Sequence, residues 1–302
     1  MSETVTTKEL LNKIKETLLI CRSHTGLDTV RTFKRGILPP IPTFPAIAIV
    51  PIREIHGGVW SGGKYEVTRQ INLEVYSKKL SGKASLDQSK NIAKEIVNIG
   101  KKIFTWGDLV LETVFGGPNE EDPMEFGSSI LSVCTVPMWF ISYERIPDKR
   151  IKSGLKNITA VGLSELMERI LEQHKKTPLL DLSLSKVAQL SRGPIPLLGN
   201  FPAVTINAPT MDIEKTYSSA DTEIRHFNIG VWTKLLDKEI NLDQNLDIIE
   251  VLKDLLQIYS GWNGYCISSE IVDIEYDMTT IPIGKVYSST INYDCHIFNT
   301  HV

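Results

Sequence analysis

The chain has 302 residues, 42% of them hydrophobic and 23% charged, the make-up of an ordinary soluble globular protein. Lys and Arg number 33 against 36 Asp and Glu, so the net charge of −3 gives no electrostatic reason for the whole surface to bind nucleic acid or membrane. No segment approaches the run of about 18 apolar residues that spans a bilayer, and the polar start Met-Ser-Glu-Thr-Val-Thr-Thr-Lys-Glu lacks the apolar stretch of a signal peptide. The four cysteines, Cys21, Cys134, Cys266 and Cys295, form no CxxC pair, which predicts reduced thiols in a cytosolic setting.

Thr6-x-x-Glu9 has capping-box spacing, and Leu10, Ile14 and Leu18 recur at helical spacing, so the chain is predicted to open with a helix. A short apolar segment with Val30 and Phe33 follows. The Gly/Pro tract from Gly36 to Pro42 reads as an extended lead-in, because proline cannot donate to a sheet ladder. Ala46 to Val50 is predicted as a first strand. A loop carrying Trp60 leads to a second, in which Ile71, Leu73 and Val75 alternate with Gln70, Asn72 and Glu74. Asp87 to Phe104 places Ile92, Ile96, Ile99 and Ile103 on one helical face. Strands over Leu109–Phe115 and Ser128–Ser142 close the series, with an acidic loop from Gly116 to Gly127 between them.

The series then starts again. Arg69-Gln70-Ile71-Asn72-Leu73-Glu74-Val75-Tyr76-Ser77-Lys78 returns 156 residues on as Arg225-His226-Phe227-Asn228-Ile229-Gly230-Val231-Trp232-Thr233-Lys234. Leu86-Asp87-Gln88 returns at the same spacing as Leu242-Asp243-Gln244. Phe44-Pro45-Ala46 returns as Phe201-Pro202-Ala203 at 157, as do Arg35-Gly36 in Arg192-Gly193 and Trp60-Ser61 in Tyr217-Ser218. A helix with Leu163, Met167, Ile170 and Leu171, a segment with Val187 and Leu190, the tract Gly193 to Pro196, a strand at Ala203 to Ile206, a helix over Asp243 to Ile258 and strands over Ile267–Tyr276 and Val286–Ile297 complete the second pass. A period this long implies domains, not solenoid units. The expected organisation is module one at 1–145, a charged linker at 146–159, and module two at 160–302. Each has the order α-β-β-α-β-β, an α+β fold with helices packed on one face of an antiparallel sheet.

Several residue sets invite a chemical reading. Gly58-Val59-Trp60-Ser61-Gly62-Gly63-Lys64 satisfies GxxxxGK, but Tyr65 stands where a P-loop needs Ser or Thr, and a strand follows where a helix is needed. A hairpin arm with Trp60 as a contact fits better. Cys295, His296 and His301 lack a second nearby pair for tetrahedral metal ligation. Asp273, Glu275 and Asp277 have the period of the wet face of a strand, with Ile274 and Tyr276 opposite. No GxSxG elbow or Ser/His/Asp set stands out, so no catalytic, cofactor-binding or metal residues are assigned. The interaction candidates are Trp60 and its counterpart Tyr217, and the acidic loop with Glu120, Glu121, Asp122 and Glu125. Four carboxylates so close repel one another unless solvated or met by a basic partner.

An alternating strand that ends in an aromatic and Ser-Lys or Thr-Lys, then a short loop and an amphipathic helix, resembles the tail terminator (tail completion) proteins of long-tailed bacteriophages. The residues concerned are Val75-Tyr76-Ser77-Lys78 with Asp87 to Phe104, and Val231-Trp232-Thr233-Lys234 with Asp243 to Ile258. The resemblance implies a virion structural protein, not an enzyme, that caps the tail tube and joins it to the head. It implies partners in the tube and the neck or connector, DNA only as passing cargo, and assembly in the host cytoplasm. Members of that family carry one module and form six-membered rings. A chain with two modules is therefore expected to form a pseudo-sixfold trimer, or else a hexamer. Another tail or baseplate component, or an enzyme with a site between two pseudo-symmetric modules, are the alternative readings.

Overall fold

In the computed structural model, the residues described are 5–36, 43–60, 64–103, 105–107, 109–126, 128–145, 159–176, 183–193, 200–214, 220–234, 238–262, 265–281 and 284–300. The fold is mixed α/β, with four α-helices among the described residues. The chain divides into two compact units, Met1–Arg145 with Asp237–Leu242, and Ile146–Leu236 with Asp243–Val302. Of the expected linker, 146–158 lie outside the described residues.

Unit 1 opens with α1 (Thr7–Cys21), started by the expected capping box: Thr6 Oγ1 accepts from the Glu9 amide at 3.1 Å, and the Glu9 carboxylate accepts from the Thr6 amide at 3.0 Å. Then come β1 (Thr32–Arg35), β2 (Ala46–Trp60), β3 (Lys64–Lys79), α2 (Gly82–Lys102), β4 (Glu112–Phe115), β5 (Asn119–Glu120), β6 (Met124–Phe126) and β7 (Ser129–Arg145). The spatial order is β4-β7-β3-β2, with β1 beside β2 and β5 and β6 beside β7. Along β3, Val67, Arg69, Ile71, Leu73 and Val75 are buried and the residues alternating with them are partly exposed, so the period-two pattern marks the core side. Both helices meet that side. Thr7 of α1 bonds Arg69, and Ser85 Oγ of α2 donates to the Ser77 carbonyl at 2.8 Å.

The expectation of a purely antiparallel sheet is corrected by β1, which pairs parallel with β2, Thr32 opposite Ala46 through Arg35 opposite Ile49. The segment with Val30 and Phe33 is too short to show alternation. A strand of four residues spans roughly 13 Å, a distance the link to Pro45 can retrace. Gly36 ends β1 at φ 69°, where its amide donates to the Ile49 carbonyl at 2.8 Å; a side chain there would be strained. The first strand also runs well past Val50. It keeps its ladder through a bulge: Pro51 faces Ile71, Arg53 faces Gln70, and Ile52 is the extra residue. Beyond the bulge Glu54 and His56, opposite Arg69 and Val67, share the core side.

Unit 2 contains α3 (Ala160–Lys176), β8 (Gln189–Arg192), β9 (Ala203–Glu214), β10 (Ala220–Thr233), α4 (Lys238–Ile258) from Asp243 onward, β11 (Ser268–Ile281) and β12 (Gly284–Thr300). Its strand order is β11-β12-β10-β9-β8. Here too the short first strand is parallel, Gln189 opposite Ala203 through Arg192 opposite Ile206, and Gly193 at φ 94° donates to the Ile206 carbonyl at 2.8 Å. Phe227, Ile229 and Val231 of β10 are buried with Ile291, Tyr293 and Cys295 of β12. Asn245 of α4 donates to the Val231 carbonyl at 3.1 Å and bonds Ser289, which puts α4 on that side. On the other side Ala203, Trp232 and Val286 form a small cluster with Phe201 against it; in unit 1, Ala46 and Ala48 do so with Phe44, Val50 and Tyr76. Among the described residues, no helix is long and apolar enough to cross a membrane.

Candidate functional site

The acidic segment is not a free loop. Glu120 lies in β5 opposite Cys134, the Glu121 amide donates to the Val133 carbonyl at 3.2 Å, and Glu125 lies in β6 opposite Ile130. With β4 ahead of them, these pieces form an interrupted strand along the outer edge of β7. The breaks fall at Gly116-Gly117-Pro118 and at Pro123, residues that do not continue a ladder. Pattern reading found β4 within Leu109–Phe115 but missed β5 and β6, because fragments of two or three residues carry no period. Glu120, Glu121, Asp122 and Glu125 are all exposed, and Lys90 of α2 reaches Glu120 at 2.9 Å.

This acidic edge acts on the sheet beside it. Tyr76 donates to Glu74 at 2.5 Å on the face away from the helices. Burial pushes the Glu74 carboxyl up, the Tyr76 hydrogen bond opposes the shift, and the Glu121 charge adds to it. Burial first, then Glu74 and Glu121, push the Tyr76 hydroxyl well above its ordinary value. The Cys134 thiol is raised by burial and by Glu120, which disfavours the reactive thiolate. An exposed negative strip over a face that favours neutral forms suits contact or repulsion.

Trp60 ends β2 opposite Lys64, with its side chain outside the described residues; Tyr217 lies outside them altogether. The GxxxxGK segment connects two antiparallel partners, β2 and β3, with 61–63 outside the described residues. A P-loop joins a strand to a helix, whereas here the strand β3 follows. Asp273, Glu275 and Asp277 share a side of β11, as their spacing implies, but Asp273 is 3% exposed and accepts from Asn292, which in turn accepts from Asn228 at 2.8 Å. This ladder across three strands is a register device more than a wet face.

The structure also gathers charges that the spacing could not predict. Arg69, 1% exposed, donates to Thr7 and Glu54 at 3.1 Å, to Ser142 at 2.8 Å, and to Glu144. Tyr65 donates to Glu144 at 3.1 Å, and His56 stacks on Tyr65 with its Nε2 3.0 Å from Glu54. Arg225, at the corresponding place in the repeat, pairs instead with Glu223. Identity of Arg69 and Arg225 was the signal in the sequence; the partners of Arg69 come from α1, β2 and β7, whereas Glu223 lies on β10 beside Arg225. These groups are enclosed and mutually satisfied, an arrangement that holds elements together. On the outer side of unit 2, His226 and Asp294 pair at 2.6 Å, and His296 and Glu270 approach to 3.7 Å.

Neither a protein-family model nor a curated protein matches this chain.

Proposed function

We propose that the two units are copies of one α/β module and that the chain is a ring-forming structural component of a phage tail, of the tail terminator or head–tail joining kind. One observation outside the matched segments carries the duplication. Trp106 and Trp262 are also 156 residues apart; both are fully buried, and both follow a long helix at φ 48° and φ 40°. A bulky residue in the left-handed region is rare. Each closes the same turn, with its amide donating to the carbonyl three residues earlier at 2.9 and 2.7 Å. The parallel pairs of β1 with β2 and of β8 with β9 support the same reading.

The step to a ring component rests on the sheet edges and on the resemblance in strand and helix pattern. Among the described residues β8 covers β9 only from Ala203 to Ile206, which leaves the rest of β9 as a sheet edge. Exposed edges invite lateral pairing, and rings cover them. Light scattering on the eluted full-length protein, with negative-stain imaging, tests this. The expected result is a closed ring of three chains, or of six. A monomer at high concentration that also fails to cap purified tail tubes refutes the proposal.

A further inference from the structure

We propose that the side of unit 2 opposite α4 binds one divalent transition-metal ion through Glu270, Asp294 and His296, with His226 orienting Asp294. Antiparallel registry builds the cluster. His226 of β10 and Glu270 of β11 both lie directly opposite Asp294 of β12, and directly opposed residues share a face. His296, two residues beyond Asp294, projects on that same face. Cys295 between them is buried on the core side, so it is not the partner of His296 that chain adjacency suggests. The sequence hides this set, because 226, 270 and 294–296 meet only through strand pairing.

The distances suit a metal. Two ligands of a tetrahedral ion with bonds of ~2.0–2.1 Å lie about 3.4 Å apart. His296 Nε2 and Glu270 Oε1 are 3.7 Å apart. Asp294 is the directly opposed neighbour of Glu270, and its Oδ1 is 2.6 Å from His226 Nδ1. A carboxylate held by an imidazole is a typical outer-shell arrangement around a metal ligand. Among the described residues no three such donors already surround one point. Ion binding requires the Glu270 and His296 side chains to turn toward Asp294, which His226 already holds. Side-chain exposures of 65% for Glu270 and 26% for His296 leave the position open to solvent, so water completes the shell. Two carboxylates balance a 2+ charge, and the imidazole donor favours zinc, cobalt or nickel over calcium or magnesium.

The test is titration of the full chain with Zn²⁺ by calorimetry and with Co²⁺ by absorption spectroscopy. The expected result is one equivalent bound, with Co²⁺ bands that lack thiolate charge transfer. His296→Ala and Asp294→Asn should abolish that equivalent. His226→Ala should weaken it about tenfold, as loss of an outer-shell partner does. All these side chains lie away from the helix-packed core, so circular dichroism should show the variants folded; Glu270→Gln, the most exposed change, repeats the test should one not fold. Absence of a saturable equivalent overturns the proposal. So does uptake that survives His296→Ala, that disappears with His301→Ala alone, or that shows cysteine charge transfer.

Discussion

Trp106 and Trp262 occupy like positions but are not equally satisfied. Trp262 Nε1 donates to Tyr293 Oη at 2.9 Å, and that hydroxyl is also bonded to Ser269 and to the Leu256 carbonyl. Trp106 Nε1 is buried with no acceptor among the described residues. Met138, which stands opposite Ile71 as Tyr293 stands opposite Phe227, offers no hydroxyl. An unmet buried donor costs roughly 1–3 kcal/mol, and a made hydrogen bond contributes about 1. Trp→Phe removes similar volume at either site. Urea unfolding should therefore find Trp262→Phe more destabilising than Trp106→Phe by about 1–3 kcal/mol; equal losses would contradict this assignment of partners. None of it was legible in the sequence, where the two tryptophans look alike and the hydroxyl that separates them lies on another strand. What was legible was local: the capping box at Thr6 and Glu9, and the period-two burial of β3.

At the scale of elements, long periodic segments were readable and short ones were not. β3, β10 and the amphipathic helices follow their apolar periods. β4 lies within the strand expected at Leu109–Phe115, but β1 and β8 were read as short apolar segments and β5 and β6 of the acidic strip as loop, because four or fewer residues carry no period and because pairing, not propensity, makes them strands. The strip has the features by which edge strands avoid further pairing: interruptions, Pro118 and Pro123, and exposed acidic side chains. Like charges on an edge repel a second copy of that edge. Replacing Glu120, Glu121 and Asp122 with Gln, Gln and Asn, and Glu125 with Gln, should leave the unfolding midpoint nearly unchanged, since exposed charges contribute little to stability. It should allow growth beyond the ring mass in light scattering. A variant that keeps the parent mass at all concentrations would show that the charges do not guard the edge.

For the whole molecule, the repeat at 156–157 residues was the strongest signal in the chain, and the proposed pair of modules rests on it. Partners of like residues differ between the units: Arg69 bonds Glu54, Ser142 and Glu144, whereas Arg225 pairs with Glu223. Such divergence is expected once two copies occupy non-identical places in one ring. The bulge, by contrast, recurs. Ile52 is the unpaired residue between Pro51 and Arg53, and in unit 2 two residues of β9, between Asn207 and Thr210, face the single Phe227. Each unit therefore holds a spare residue in its long strand. Deleting Ile52 would leave Pro51 and Glu54 facing inward and Arg53 outward, a regular alternation with every side chain on its present side. Deleting Ala48 instead would turn part of the strand over, exposing Ile47 or burying a neighbour meant for the outside. In a deletion scan of β2, soluble yield should survive at Ile52 and collapse at Ala48, so natural changes of chain length in this strand should gather where its register shifts, at Ile52 and between His56 and Val59.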